Sequence, residues 1–348
     1  MKHIFIIHSN LTYLAALGTI CKENLDERDV LIVSRYKLGY NLPVPVHFFD
    51  FSRAYKHPWR SMWMFSPYKY IDRFIYNNIG QTFFVLYVEA MNFPAKLFFS
   101  NPYCRALCFI EEGASSHYAK VPLVRMFNDD ISPILSSLRY DSIRRRLFDF
   151  IILFSGVSLK NFSLPYMPQC YYYVEGVKFY GFSCNSFKGA KEVIEISWED
   201  IKNKFTFEKK YDLNNSVIWI GFPPQVESFQ IPLKDYISCI KGKCIPHMKG
   251  CGIQKVFIKH HPVATDDVRS SEIAVFRNLG FDVEVIGDDT CIEMEILNCD
   301  NVTIYTIISG IAQYAYQMGV RKIYSVANYF PGFVEKELND IWNYVTLI

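Results

Sequence analysis

The sequence predicts an α/β chain of two Rossmann-like domains, each with a parallel sheet, facing a central cleft. Three observations predict it. Apolar runs of strand length alternate with helical stretches in both halves, the pattern of βαβ units and parallel sheets. A polar, charged stretch from Asn185 to Asn215, with "KNKFTFEKKYDLNN" as its hinge, interrupts that alternation. The chain has 348 residues, 50% of them apolar, which suits two domains that each bury a core.

The first half opens with "HIFIIH" as a strand, "LTYLAALGTICKEN" as a helix and "DVLIVS" as a strand, and "VHFFDF" fits a third. Residues 55–80 mix aromatic and basic side chains without a clear period. "FFVLYVEA" and "AKLFFS" read as further strands, followed by Ala106–Ile110. In the second half "SVIWIGF" is a strand. "KDYISCIKGKCIPHM" is a helix with Pro246 near its end. "KVFIKHH" is a strand, "DDVRSSEIAVFRNLG" a helix closed by Gly280, and "FDVEVIG" a strand. "CIEMEILN" is a short helix, "NVTIYT" a strand, "SGIAQYAYQMG" a helix ended by Gly319, and "RKIYSVA" the last strand. Domains are therefore expected over 1–200 and 201–328. Residues 329–348 are expected to form an amphipathic C-terminal helix that crosses back to the first domain. Two such halves follow the general plan of a GT-B glycosyltransferase, which does not by itself fix a function. Connections in these sheets are right-handed, and ligands bind beyond the carboxyl ends of the strands.

Composition narrows the classes. A net charge of +2 argues against a nucleic-acid binder. None of the ten cysteines forms C-x-x-C, and Cys239, Cys244, His247 and Cys251 match no common zinc spacing. Reduced thiols in a cytoplasmic protein are the expectation. "MKHIFIIHSN" lacks the features of a signal peptide, and no apolar stretch reaches the ~18–20 residues that span a bilayer. There is no Asp-x-Asp, no P-loop, no Gly-x-Gly-x-x-Gly and no Gly-x-Ser-x-Gly elbow.

What remains sits at strand ends. In "FIEEG" a buried strand runs into Glu111 and Glu112, and Gly113 lets the chain turn. Adjacent side chains on an extended chain point to opposite faces, so one carboxylate can face a cleft while the other pairs with the scaffold. A carboxylate near apolar walls has a raised pKa and suits a general base; an acidic turn is the plain alternative. "IKHHP" ends another strand, and Pro262 restrains His261 to extended geometry, aiming an imidazole that could stabilise a leaving phosphate. A second Lys-His-Pro, Lys56–Pro58, follows no strand and reads as a loop. "YTIISG" places Ser309 and Gly310 at a helix N-terminus, suited either to phosphate or to simple capping. Glu293 and Glu295 start another helix and could accept from ribose hydroxyls or complement the dipole. Gly221 permits close backbone approach to a ligand. Ser9 and Asn10 follow the first strand, where they either cap the next helix or contact sugar.

Taken together, Glu111-Glu112-Gly113, His261-Pro262 and Thr306–Ser309, in that order, resemble the motifs of the bacterial sialyltransferases, in particular the polysialyltransferase-like group. The resemblance covers most of the chain in layout and a few residues in detail. Ile308 precedes Ser309 where that group carries paired Ser/Thr, so the carry-over rests on Ser309 more than on Thr306.

The resemblance implies a GT-B fold and an inverting transfer of sialic acid from CMP-sialic acid to a hydroxyl of a cell-surface glycan, in lipopolysaccharide, O-antigen or capsule. It implies no metal or other cofactor. Glu111, the first acid, is the expected base, with Glu112 the alternative. His261 would stabilise the departing CMP. Ser309, Gly310, Pro262, Thr306 and Gly221 would line the CMP site, and Glu295 or Glu293 would hold ribose or cytosine. Ser9, Asn10 and Gly113 would lie toward the acceptor or donor sugar. Expected partners are the nucleotide-sugar donor and a glycan or lipid-linked oligosaccharide acceptor, with no nucleic acid. The aromatic-basic segment around Trp59, Trp63, Tyr68 and Tyr70, and "RYDSIRRRLFDFIILF", either rest on the cytoplasmic face of the inner membrane or form a helical subdomain with solvated basic residues. The same motifs would serve another CMP-activated nonulosonate or CMP-Kdo. A glycan-binding protein on the same frame would not need Glu111, Glu112 and His261 to converge across a cleft.

Overall fold

The computed structural model describes residues 1–39, 41–50, 66–113, 116, 166–224, 230–330 and 344–348. The chain separates into two compact units, Met1–Leu38 with Leu42–Phe205, and Gly39–Asn41 with Thr206–Ile348.

The first unit carries a seven-stranded parallel sheet. Its strands are β1 (Lys2–Ile7), β2 (Val30–Ser34), β3 (Val46–Phe48), β4 (Phe84–Val88), β5 (Cys104–Ile110), β6 (Lys178–Gly181) and β7 (Ile194–Glu195), in the order β3-β2-β1-β4-β5-β6-β7. Every residue of β4 is buried, as a strand covered on both faces requires. Helix α1 (Asn10–Lys22) follows β1, α2 (Ser66–Ile79) and α3 (Phe93–Phe99) flank β4, and α4 (Trp198–Lys204) ends the unit. "AKLFFS", expected as a strand, lies largely in α3. The Asn92 side chain accepts from Ala95 N–H at 3.0 Å, and a proline occupies the first turn. This N-cap chemistry overrides the β preference of the two phenylalanines.

The second unit has a six-stranded parallel sheet, β10-β9-β8-β11-β12-β13. The strands are β8 (Val217–Ile220), β9 (Lys255–Lys259), β10 (Asp282–Ile286), β11 (Thr303–Thr306), β12 (Lys322–Ser325) and β13 (Thr346–Leu347). Alternate residues fill two cores. Trp219, Val256, Ile258 and Tyr305 pack into one, while Ile218, Ile220, Phe257 and Ile304 pack into the other, which is the period of two of a pleated strand. "RKIYSVA" is not the last strand, because Thr346–Leu347 pair with β12 in parallel. The rest of the expected terminal helix, 331–343, lies outside the described residues.

The segment before β9 is helical throughout: α5 (Leu233–Cys239), a π-helical turn (Ile240–Cys244) and α6 (Ile245–Gly250). Pro246 starts α6 rather than closing the helix. A proline cannot donate to the preceding turn, and the π turn is where that lost bond is absorbed. Helices α7 (Asp266–Asn278), α8 (Ile292–Ile296) and α9 (Gly310–Gln317) complete the unit.

Both sheets reverse strand order once, at β1/β4 and at β8/β11. Each reversal opens a crevice beyond the carboxyl ends of the strands, the usual position of a ligand site in a doubly wound sheet. Among the described residues no helix is long and apolar enough to cross a membrane. The segments proposed for membrane contact lie outside the described residues, except for α2.

Candidate functional site

In the first unit the two adjacent acids at the end of β5 separate completely. Glu111 is fully buried. Its Oε2 accepts from Phe182 N–H at 2.6 Å and from the Ser186 hydroxyl at 2.8 Å. These bonds tie β5 to the turn after β6, and a side chain at Gly181 would place Cβ 2.4 Å from Ser186 Cβ. Glu111 is thus held in the scaffold: these two partners lie in the interior, and the side chain has no exposed surface from which to meet a hydroxyl, against its expected role as base.

Glu112 faces the other way, with 41% of its side chain exposed. Its backbone N–H donates to Ser116 Oγ at 3.2 Å, and Gly113 turns the chain with φ +141°. Across the reversal, His8 follows β1 and Glu89 follows β4. His8 Nε2 lies 3.4 Å from Glu112 Oε1, and His8 Nδ1 lies 3.5 Å from Glu89 Oε1. Asn92 Nδ2 donates to the same Glu89 oxygen at 3.1 Å. Burial raises the Glu112 pKa, and the nearby Glu89 charge raises it further, while His8 and Arg35 oppose; the net direction is upward. Burial alone would lower the His8 pKa, but the Glu89 and Glu112 charges beside it outweigh that, so it is raised.

Ser9 is committed to α1. Its hydroxyl accepts from Thr12 N–H at 3.2 Å, and Thr12 Oγ1 accepts from Ser9 N–H at 3.0 Å, a reciprocal capping box. Asn10 Oδ1 is buried without a hydrogen-bond partner. His8 and Glu89 belong to no sequence motif, although each follows an apolar strand, the same signal that marks Glu111 and Glu112.

In the second unit, His260 and His261 follow β9. His261 is half-buried, and its Nδ1 accepts from Val263 N–H at 3.3 Å, which leaves the ring proton on Nε2. Burial pushes its pKa down, with the Glu272 charge opposing. His260 is buried, and its Nδ1 sits 2.5 Å from Glu272 Oε2. Glu272 is fully buried on α7 and also accepts from Trp219 Nε1 at 3.0 Å and from the Tyr236 hydroxyl. Gly221 makes room for this carboxylate: a Cβ there would lie 2.9 Å from Glu272 Oε1. Gly221 thus serves a buried side chain, a nearer cause than the expected approach to a ligand. The Pro262 carbonyl accepts from Arg269 at 3.3 Å.

Ser309 caps α9 by accepting from Ile311 N–H at 3.1 Å, and Gly310 is the first residue of that helix. Thr306 is fully buried, and its hydroxyl has no hydrogen-bond partner. Glu295 does not stand ready for a ribose. It is fully buried, and its carboxylate accepts from Lys210 N–H at 3.1 Å and from Tyr211 N–H at 3.1 Å, pinning the chain that enters the second unit. Glu293, which accepts from Cys291 Sγ at 3.3 Å and has its pKa raised by burial, is the remaining carboxylate of that pair. Among the described residues no group of His, Cys, Asp or Glu is gathered as metal ligands; His247 Nδ1 instead meets the Tyr305 hydroxyl at 2.9 Å.

No protein-family model and no curated protein matches the sequence. Solved structures do match. The GT-B domain of a sialyltransferase from Photobacterium damselae aligns with a TM-score of 0.55 at 11% identity, covering 100% of both chains. A sialyltransferase from Photobacterium damsela aligns with a TM-score of 0.51 at 12% identity, over 100% of this chain and 81% of that one. The fold is GT-B. The UDP-GlcNAc 2-epimerase of Methanocaldococcus jannaschii is also similar, with a TM-score of 0.49 at 10% identity, over 100% of this chain and 89% of that one.

Proposed function

We propose that this chain is an inverting sialyltransferase that moves sialic acid from CMP-sialic acid to a hydroxyl of a cell-surface glycan. The observation that carries the reading is the open Glu112 carboxylate, bridged by His8 at the reversal point of the first sheet. The motif resemblance favours Glu111 as the base and leaves Glu112 as the alternative, and the full burial of Glu111 supports reading Glu112 as the base. The second unit supplies a matching His-Pro turn at the end of β9. The fold shared with sialyltransferase structures agrees with this reading.

In the proposed reaction the acceptor oxygen attacks the anomeric carbon of the donor sugar. The new C–O bond forms as the bond to the CMP phosphate oxygen breaks, and that oxygen keeps the electron pair. Glu112 takes the hydroxyl proton. A raised pKa makes the Glu112 carboxylate a stronger base, which suits a general base. One displacement inverts the anomeric centre. The His261 Nε2–H donates to the departing phosphate, whose charge would in turn favour the imidazolium. The N–H groups at the start of α9 add positive potential. The leaving group is a single phosphate already esterified, so a histidine and a helix terminus could carry its charge without a metal.

The test is release of CMP from CMP-sialic acid by purified protein, with a panel of galactose- and sialic-acid-terminated acceptors and a chelator present. Acceptor-dependent release that is lost in Glu112→Gln and His261→Asn supports the reading. Release only from another CMP-activated nonulosonate, or from CMP-Kdo, moves the donor and keeps the mechanism. Absence of release from every donor refutes it.

A further inference from the structure

We infer that His8 is a positioning residue: as a cation between Glu89 and Glu112, it sets the orientation and the charge of the Glu112 carboxylate. The inference rests on the reading of Glu112 as the base.

The geometry argues for the cation. One ring nitrogen faces Glu89 at 3.5 Å and the other faces Glu112 at 3.4 Å, distances of an ion pair rather than of a short hydrogen bond. A neutral imidazole carries one N–H and would turn a lone pair toward one of the two carboxylates. An imidazolium sets positive charge beside both, and since His8 Nδ1 makes no hydrogen bond its contact with Glu89 is ionic. Glu89 supplies the reason for the charge to stay. Its side chain is 7% exposed, its Oε2 has no hydrogen-bond partner, and Asn92 is the neutral donor on Oε1. A carboxylate so buried is costly without a nearby positive charge.

The three groups come from three strand ends, β1, β4 and β5, which the order β1-β4-β5 sets side by side. Two further groups face them. Arg35, after β2, attracts Glu112 and opposes protonation of His8. Tyr166 feels the charges of both Glu112 and Glu89. The backbone of His8 is fixed as well, its N–H donating to Thr12 Oγ1 at 3.2 Å. The chain of alternating charges, Glu89, His8, Glu112, thus runs from the buried interior to an exposed carboxylate.

The experiment follows the His8 ring resonance by NMR against pH in histidine-labelled protein, the peak assigned by its loss in His8→Gln. His8 is expected to titrate above its ordinary value of 6.5, and both Glu89→Gln and Glu112→Gln are expected to lower that midpoint. Should either variant fail to fold, the other carries the comparison. A midpoint at or below the ordinary value in the wild type, or one unmoved by loss of either carboxylate, overturns the inference. The kinetic arm uses the pH profile of CMP release. His8→Gln is expected to move the acid limb to higher pH by about one unit, a roughly tenfold loss on that limb, with kcat falling rather than KM rising. The double variant with Glu89→Gln should give back part of that shift, since the Glu89 charge itself raises the Glu112 pKa. An acid limb that stays in place overturns the positioning role. If no donor is turned over at all, the transferase reading fails, while the NMR titration still decides the state of His8.

Discussion

Replacing Glu111 by alanine is expected to weaken the first unit without disabling the base, and replacing Glu112 by glutamine to do the reverse. Glu111→Ala orphans two donors, the Phe182 N–H and the Ser186 hydroxyl, at a fully buried position. Each unsatisfied buried donor costs about 1–3 kcal/mol, so the loss is roughly 2–6 kcal/mol. For a unit that runs to Phe205, each kcal/mol lowers Tm by about 2–4 °C, giving a drop of roughly 4–24 °C. Glu112→Gln removes a partly exposed charge and should leave Tm within about 1 °C, because surface pairs contribute little. Loss of a general base lowers kcat by roughly 10²–10⁴-fold. The assay pairs thermal melts with kcat measured well below the lower Tm. A folded Glu111→Ala protein without activity, beside an active Glu112→Gln protein, would refute the assignment of scaffold and base.

Three further outcomes follow from the same contacts. Glu293 has a pKa raised by burial. Its ionised form therefore costs stability, the cost being absent below the ordinary value of 4.5 and growing as pH rises through the folded pKa. Glu293→Gln should accordingly raise Tm at pH 7 and leave it unchanged at pH 4; if Glu293 holds the nucleotide, that gain comes with weaker CMP binding by calorimetry. Glu295→Ala frees the Lys210 and Tyr211 amides and should lower the stability of the second unit by about 1–3 kcal/mol in denaturant melts, with donor affinity unchanged. Gly181→Ala drives a Cβ to 2.4 Å from Ser186 Cβ and should cost about 2 kcal/mol or more, read from the same melts; an unchanged midpoint would show that the turn after β6 yields easily.

Much of the architecture is local and was legible. β1, β4, β8, β9 and β11 are apolar runs bounded by polar turns, and a strand buried on both faces must be written that way whatever lies beside it. Helices α1 and α7 were legible for the same reason. Reading failed where short-range signals competed. Two phenylalanines in "AKLFFS" suggest a strand, but Asn92 and Pro94 set a helix going one turn earlier. The π turn before Pro246 has no sequence period of its own. β6, β7 and α4 fall in the polar stretch around Asn185 to Asn215, or just before it, and are too short for periodicity to show.

The sequence by itself determined that two carboxylates end β5 and a His-Pro turn ends β9, because strand ends are marked by where the apolar run stops. Only the tertiary structure decided which carboxylate is open. The alternation of a strand says that Glu111 and Glu112 face apart, but which face is interior depends on β6 and on Ser186, 75 residues downstream of Glu111. Likewise His8, Glu89 and Glu112 are remote in the chain and meet because β1, β4 and β5 are neighbours in the sheet. Strand order is settled by crossover connections and shared burial rather than by any local pattern, and so the partners of each strand end could not be read from the residues around it.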